Sequence, residues 1–241
     1  MHGMGFSPDR KTLVVVSIGS NSVSFIDTAT NQVRHITYVG RSPHEAFFTP
    51  DGKQVWFTLK DTGKVQVLNA RPPFNILKTL DTGPITNHVN IVQNAQGSFA
   101  RVTVGGLNRV NVYRTDNFSQ VASIPVGNLP HGLWPSGDGT RIYVGLENAD
   151  ALAAIDTASY KVVATIPIGQ APQAVAYVPG AVPEGDGMQG LQPLGIAGQA
   201  VHLLLRTVGA AKNAPPTTTV SLFEQGITQV LQASATGLEP K

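Results

Sequence analysis

Four histidines recur at nearly equal spacing. His2, His44, His88 and His131 are separated by 42, 44 and 43 residues, and a further step of 42 reaches Gln173. Three of these five positions, His44, His131 and Gln173, follow a proline. Glu45 follows His44, and Asn87 and Asn90 flank the third histidine. Imidazoles gathered on one axis can bind a transition metal, bind an anion, or transfer protons near neutral pH. His2, His44, Glu45, His88, Asn90, His131 and Gln173 are therefore the candidate ligand-binding residues. Within this set His44, His88 and His131 are the candidate ligands for a divalent transition metal. A catalytic zinc site needs three protein ligands and an open position, which such a ring can supply. A multinuclear copper centre needs more histidines than the six present. Position-matched residues also have a structural reading, because a histidine after proline can cap a loop once per repeat. No residue is singled out as catalytic.

The markers belong to a longer repeat. Each unit has four short runs rich in Val, Ile, Thr and aromatics, bounded by turn residues. The first runs include "EAFFTPD" and "GLWPSGD", the second "TLVVVS" and "QVWFTL", the third "SVSFID" and "ALAAID", and the fourth "KVVATIPIG". The second runs are apolar at successive positions, as in Leu13-Val14-Val15-Val16. A sheet with one wet face alternates instead, so these strands are buried on both faces. A period of about 40 to 45 residues with four strands is the mark of a β-propeller. The expected fold is all-β, with five four-stranded antiparallel blades at about 2–42, 43–85, 86–129, 130–171 and 172–241. The fifth carries an insertion at 181–199, rich in Gly, Pro and Gln, and a shorter one at 209–216. The aspartates of "SPD", "PDG", "GDG" and "IDT" (Asp9, Asp51, Asp138, Asp27 and Asp156) read as turn residues. Trp56 and Trp134 read as packed between blades.

These motifs resemble the YVTN-type β-propeller repeat. "GFSPDRK", "YVGLEN", "VSFIDTATNQV" and "AIDTASYKVVATIPIG" carry the resemblance over about residues 2–178. More distantly, the pattern is similar to the propellers of nitrous oxide reductases, cytochrome-type nitrite reductases and lactonases. The resemblance implies a bacterial or archaeal protein in the periplasm or outside the cell. A cytoplasmic location stays open. Propellers of this type are more often seven-bladed, so the five units can be part of a larger ring.

Composition narrows the remaining classes. Only 13% of residues are charged and 41% are hydrophobic, which argues for a packed core. There is no cysteine, which removes disulfides and thiolate sites. No apolar run reaches the ~18 residues that span a bilayer. The net charge of +2 is spread along the chain without a basic cluster, so nucleic acid is not an expected partner. No P-loop, G-x-S-x-G elbow or helix-opening G-x-G-x-x-G occurs. Two readings follow. The first is a non-enzymatic binding or scaffold propeller that presents its channel mouth to a small molecule, glycan or protein. The second is a metal-dependent enzyme at the same mouth, as a lactonase-like hydrolase or a metal or haem redox protein.

Overall fold

Burial on both faces of the second strands decides the architecture. In the computed structural model Val14, Val15 and Val16 are all buried, as are Val55 to Leu59 in the next unit. The structure describes residues 1–178. They form four four-stranded antiparallel sheets and three short 3₁₀ turns, with no α-helix among the described residues. The first sheet holds β1 (Met4–Phe6), β2 (Thr12–Ser17), β3 (Ser22–Asp27) and β4 (Val33–Tyr38). The second holds β5 (Pro43–Phe48), β6 (Gln54–Leu59), β7 (Lys64–Asn69) and β8 (Ile76–Asp81). The third holds β9 (Thr86–Asn94), β10 (Gly97–Val104), β11 (Arg109–Arg114) and β12 (Gln120–Pro125). The fourth holds β13 (Pro130–Pro135), β14 (Arg141–Leu146), β15 (Ala151–Asp156) and β16 (Lys161–Pro167). Strands pair in sequence order within every sheet.

The first strands are innermost: β1 packs beside β5, β5 beside β9 and β9 beside β13. The fourth strands are outermost, and every residue of β16 is exposed. The chain is an all-β β-propeller of four-stranded antiparallel blades. Four blades lie within the described residues. Of the expected fifth blade, at 172–241, residues 172–178 are described and form no strand; the rest of it, its insertions at 181–199 and 209–216, and His202 lie outside the described residues. No described helix is long and apolar enough to cross a membrane.

Apolar layers fill the spaces between blades. Val14, Val16 and Phe25 meet Ala46, Val55 and Phe57 between the first two. Trp56, Val65 and Val67 meet Val89, Ala100 and Val102 between the second and third. Val92, Phe99 and Val112 meet Leu133, Ile142 and Val144 between the third and fourth. Trp56 is fully buried, and its indole N–H donates to Gln54 Oε1 at 2.8 Å.

Polar contacts repeat from blade to blade. Asp9, Asp51 and Asp138 each accept a hydroxyl from the residue two before, namely Ser7, Thr49 and Ser136. Each also accepts the backbone N–H two residues on. Asp27 accepts the N–H groups of Ala29 and Thr30, and Asp156 those of Ala158 and Ser159. These are Asx turns. Asn21, Asn108 and Asp150 adopt left-handed backbone after the second strands, which Asn and Asp tolerate. Their side chains accept the N–H of Ser42, Leu129 and Ala171 in the linker to the following blade.

Replacing Trp56 by Ala is expected to destabilise the fold by about 3–5 kcal/mol, because the residual cavity lies between two rigid sheets. Val163→Ala on exposed β16 is expected to stay within about 0.5 kcal/mol. Urea unfolding of the two variants beside the wild type measures both.

Candidate functional site

The site is built by a bulge. In β5, Pro43 pairs with Leu59 and Ala46 pairs with Phe57, so three steps of the inner strand face two of its neighbour. The same slip separates Thr86 from Val89 in β9 and Pro130 from Leu133 in β13. A bulge lets consecutive side chains turn toward the same side. Here the paired positions are His44-Glu45, Asn87-His88 and His131-Gly132, all at the starting ends of the inner strands.

This register corrects the sequence alignment. Thr86 holds the ladder place of Pro43 and Pro130, so Asn87 is the equivalent of His44 and His131. His88 is the equivalent of Glu45. The backbone agrees: Glu45 N–H donates to Thr58 Oγ1 and His88 N–H donates to Thr103 Oγ1. The third histidine is thus displaced by one position, as its 44-residue step from His44 already hints. Because the bulge turns both of its residues inward, His88 still joins the cluster.

The expected convergence is present. The ring centroids of His2 and His44 lie 3.6 Å apart. His44 and His88 are 5.3 Å apart, His44 and His131 5.5 Å, and His88 and His131 4.9 Å. Glu45 Oε2 lies 3.8 Å from His88 Nδ1, and Glu147 Oε2 lies 3.9 Å from His131 Nε2. Gln173 donates its side-chain amide to Glu147 Oε1 at 2.9 Å. His35 stands apart in β4, stacked on Phe74.

Most of the rings are fixed by the following blade. His2 Nδ1 donates to the His44 carbonyl at 2.8 Å, His44 Nδ1 to the Asn87 carbonyl at 3.1 Å, and His131 Nδ1 to the Gln173 carbonyl at 2.9 Å. A carbonyl can only accept, so Nδ1 carries the proton in all three. Asn87, standing at the histidine position, donates its amide to the Pro130 carbonyl. The structural role expected of these positions is therefore real, and it links blades rather than capping a loop within one. It also sets the chemistry, because a neutral ring held by Nδ1–H offers a bare Nε2.

Burial disfavours the charged form of His44, His88 and His131. Desolvation lowers His44 to about 3 and His88 to about 2, with neighbouring imidazoles and Lys60 adding to the effect. His131 is lowered for the same leading reason, and Glu147 partly opposes the shift. Desolvation raises Glu45 to about 7, with a weak opposing hydrogen bond from Ala46 N–H. The site is thus a protonatable carboxyl among neutral imidazoles. Among the described residues no three His, Asp or Glu side chains are arranged as a ready metal-ligand set, His44, His88 and His131 included.

Four further residues belong to the site. Lys60 and Glu147 each follow the last residue of a second strand, at the mouth. Their signal in the sequence is a constant offset from His44 and His131. Phe47 and Trp134 lie three residues beyond His44 and His131, and their rings meet edge to face at 5.4 Å. Both are half-buried and lie further along the inner strands than the histidines. Trp134 was expected between blades, and its aromatic partner comes instead from the second blade, across the axis. Asn90 holds the matching place in β9, with its amide 3.5 Å from the Leu133 carbonyl.

Neither a protein-family model nor a curated protein matches the sequence. Solved structures share its fold. One is hydrazine synthase of Kuenenia stuttgartiensis, at TM-score 0.65 and 25% identity over 69% of this chain and 48% of that one. A functionally unknown protein from Desulfotomaculum acetoxidans DSM 771 matches at 0.64 and 14%, over 72% and 58%. The periplasmic gluconolactonase PpgL of Pseudomonas aeruginosa matches at 0.58 and 21%, over 71% and 55%. The chain spans about half the length of these structures.

Stability is expected to fall on acidification below pH 6.5. His44 and His88 are neutral when folded and take up protons on unfolding, so each adds a loss of about 1.4 kcal/mol per pH unit between 6.5 and its folded value. Glu45 acts in the opposite sense between about 4.5 and 7, because its folded pKa is the higher one. Glu45→Gln should therefore steepen the acid loss and His44→Gln should flatten it, as read by thermal unfolding from pH 7 to pH 5.

Proposed function

We propose that this chain is a non-enzymatic binding propeller of the YVTN type, holding a small hydroxylated molecule at the mouth of its inner strands. The observation that carries this reading is the set of converging imidazoles, with an aromatic pair further along the same inner strands. Bare Nε2 atoms accept hydrogen bonds from hydroxyl groups, and the Glu45 carboxyl, when protonated, donates one. Phe47 and Trp134 offer apolar surface to the C–H face of a sugar-like ring. Because three rings are tied to backbone carbonyls, the wall is in place before a ligand arrives, which lowers the entropy lost on binding. The repeat motifs and the periplasmic gluconolactonase of similar fold support a location outside the cytoplasm. The greater length of the similar structures supports a ring with more blades than the four described.

The test is calorimetric titration with monosaccharides, aldonic acids and sugar lactones. One or more should bind, and His44→Ala and Trp134→Ala should each weaken that binding at least tenfold, a change of about 1.4 kcal/mol. Absence of binding by every compound at millimolar concentration would overturn the reading.

A second reading, a lactone hydrolase, is favoured by one observation. Glu45 titrates near neutrality beside His88, as a group that moves protons at that pH should. Lactone hydrolysis, assayed with and without added divalent metal and lost in Glu45→Gln, separates the enzyme from the binding protein.

A further inference from the structure

Arg101 lies in the middle of β10 and is fully buried. Its Nε, Nη1 and Nη2 atoms have no hydrogen-bond partner among the described residues. The ladders place it level with Trp56 in β6 and Tyr143 in β14, because Arg101 pairs with Asn90 as Trp56 pairs with Phe47 and Tyr143 with Trp134. The matching place in the first blade is Val14, so the three other described blades carry a neutral side chain there. Among the four described blades only the third carries a cation at this place. On the same face of β10, Thr103 Oγ1 donates to the His131 carbonyl, so Arg101 faces the fourth blade. The Phe99 ring lies 5.8 Å from the guanidinium carbon, and the nearby ionisable group is the Tyr160 phenol. No carboxylate contacts it among the described residues.

A guanidinium has five donors and stays protonated through the neutral range even when burial lowers its pKa, here to about 10. An uncompensated charge inside an apolar layer is strongly unfavourable, and a counter-charge is the ordinary remedy. We propose that Arg101 is the core of a buried site for a small monovalent anion, of the size of a halide, between the third and fourth blades. The anion must be small because the guanidinium is closed to solvent. It must be singly charged because a divalent anion is too strongly hydrated to enter an apolar layer. The site is independent of the histidine mouth and needs nothing bound there.

The test is thermal unfolding of the full chain in halide-free buffer, titrated with chloride or bromide at constant ionic strength held by a large organic sulfonate. The wild-type Tm should rise by roughly 2–4 °C and saturate. The Tm of Arg101→Leu should ignore the halide and should not lie below the wild type in halide-free buffer, since the variant removes a buried charge. Crystals of the wild type in bromide should show an anomalous peak beside the guanidinium. That measurement decides the matter if Arg101→Leu does not fold. No halide response in the wild type, an equal response in the variant, or no bromide peak would overturn the proposal.

Discussion

The bulge at the start of the inner strands β5, β9 and β13 is the constraint on which the site depends. A regular strand sends neighbouring side chains to opposite faces, so His44 and Glu45 could not both reach the axis. Three residues set against two break that alternation for one step. The same slip in β9 brings His88 inward although its place in the repeat is that of Glu45. Gly132 has the corresponding place in the fourth blade, where a Cβ would stand 2.6 Å from the Gln173 carbonyl oxygen. Gly3 is similarly close-packed, with a Cβ position 2.7 Å from the His44 carbonyl oxygen and from Glu45 Oε1. Gly3 thus leaves room for the Glu45 carboxyl, and Gly132 for the close approach of the backbone at Gln173 to Val175.

The same contacts serve assembly and chemistry. The Nδ1–H groups of His2, His44 and His131 each bind a carbonyl of the next unit. Thr58 and Thr103 add hydroxyl donors to the Asn87 and His131 carbonyls at 2.7 Å. These bonds satisfy backbone groups that the bulge frees from the ladder, which a buried strand end requires. They also orient the rings and select the tautomer. The imidazoles are neutral for a packing reason, since desolvation leads every cause of their lowered pKa. Glu45 is raised by the same burial. One environment therefore holds bases unprotonated and an acid protonatable within a few ångströms.

The third blade differs from the others in two ways. It places Asn87 where the second and fourth place histidine, and Arg101 where they place aromatic residues. Asn87 Oδ1, Ser98 Oγ and the Arg101 nitrogens are the buried side-chain atoms without partners among the described residues, and all lie on this blade's two inner strands. The repeat thus keeps its backbone while one unit departs in polarity at the axis and at the interface with the fourth.

What the sequence determined is the repeat and its consequences. Period, strand composition and doubly buried second runs together point to blades, because no α-helical segment is present in the described repeat to cover the second face of Val14 to Val16. The turn roles of Asp9, Asp51 and Asp138 were equally legible, since an Asx turn needs only local chain. The gathering of His2, His44 and His131 followed from the period, whereas that of His88 needed the bulge. Tertiary structure decided what spacing cannot express. A step of 44 residues between His44 and His88 reads equally as a longer loop or as a shifted place in the strand. Only the pairing of Thr86 with Val104 shows the second to be correct. The meeting of Phe47 with Trp134, and the neutrality of the rings, arise from strands brought together across an axis. Distance along the chain carries no information about solvent or about what lies opposite, and those two quantities set the chemistry of the site.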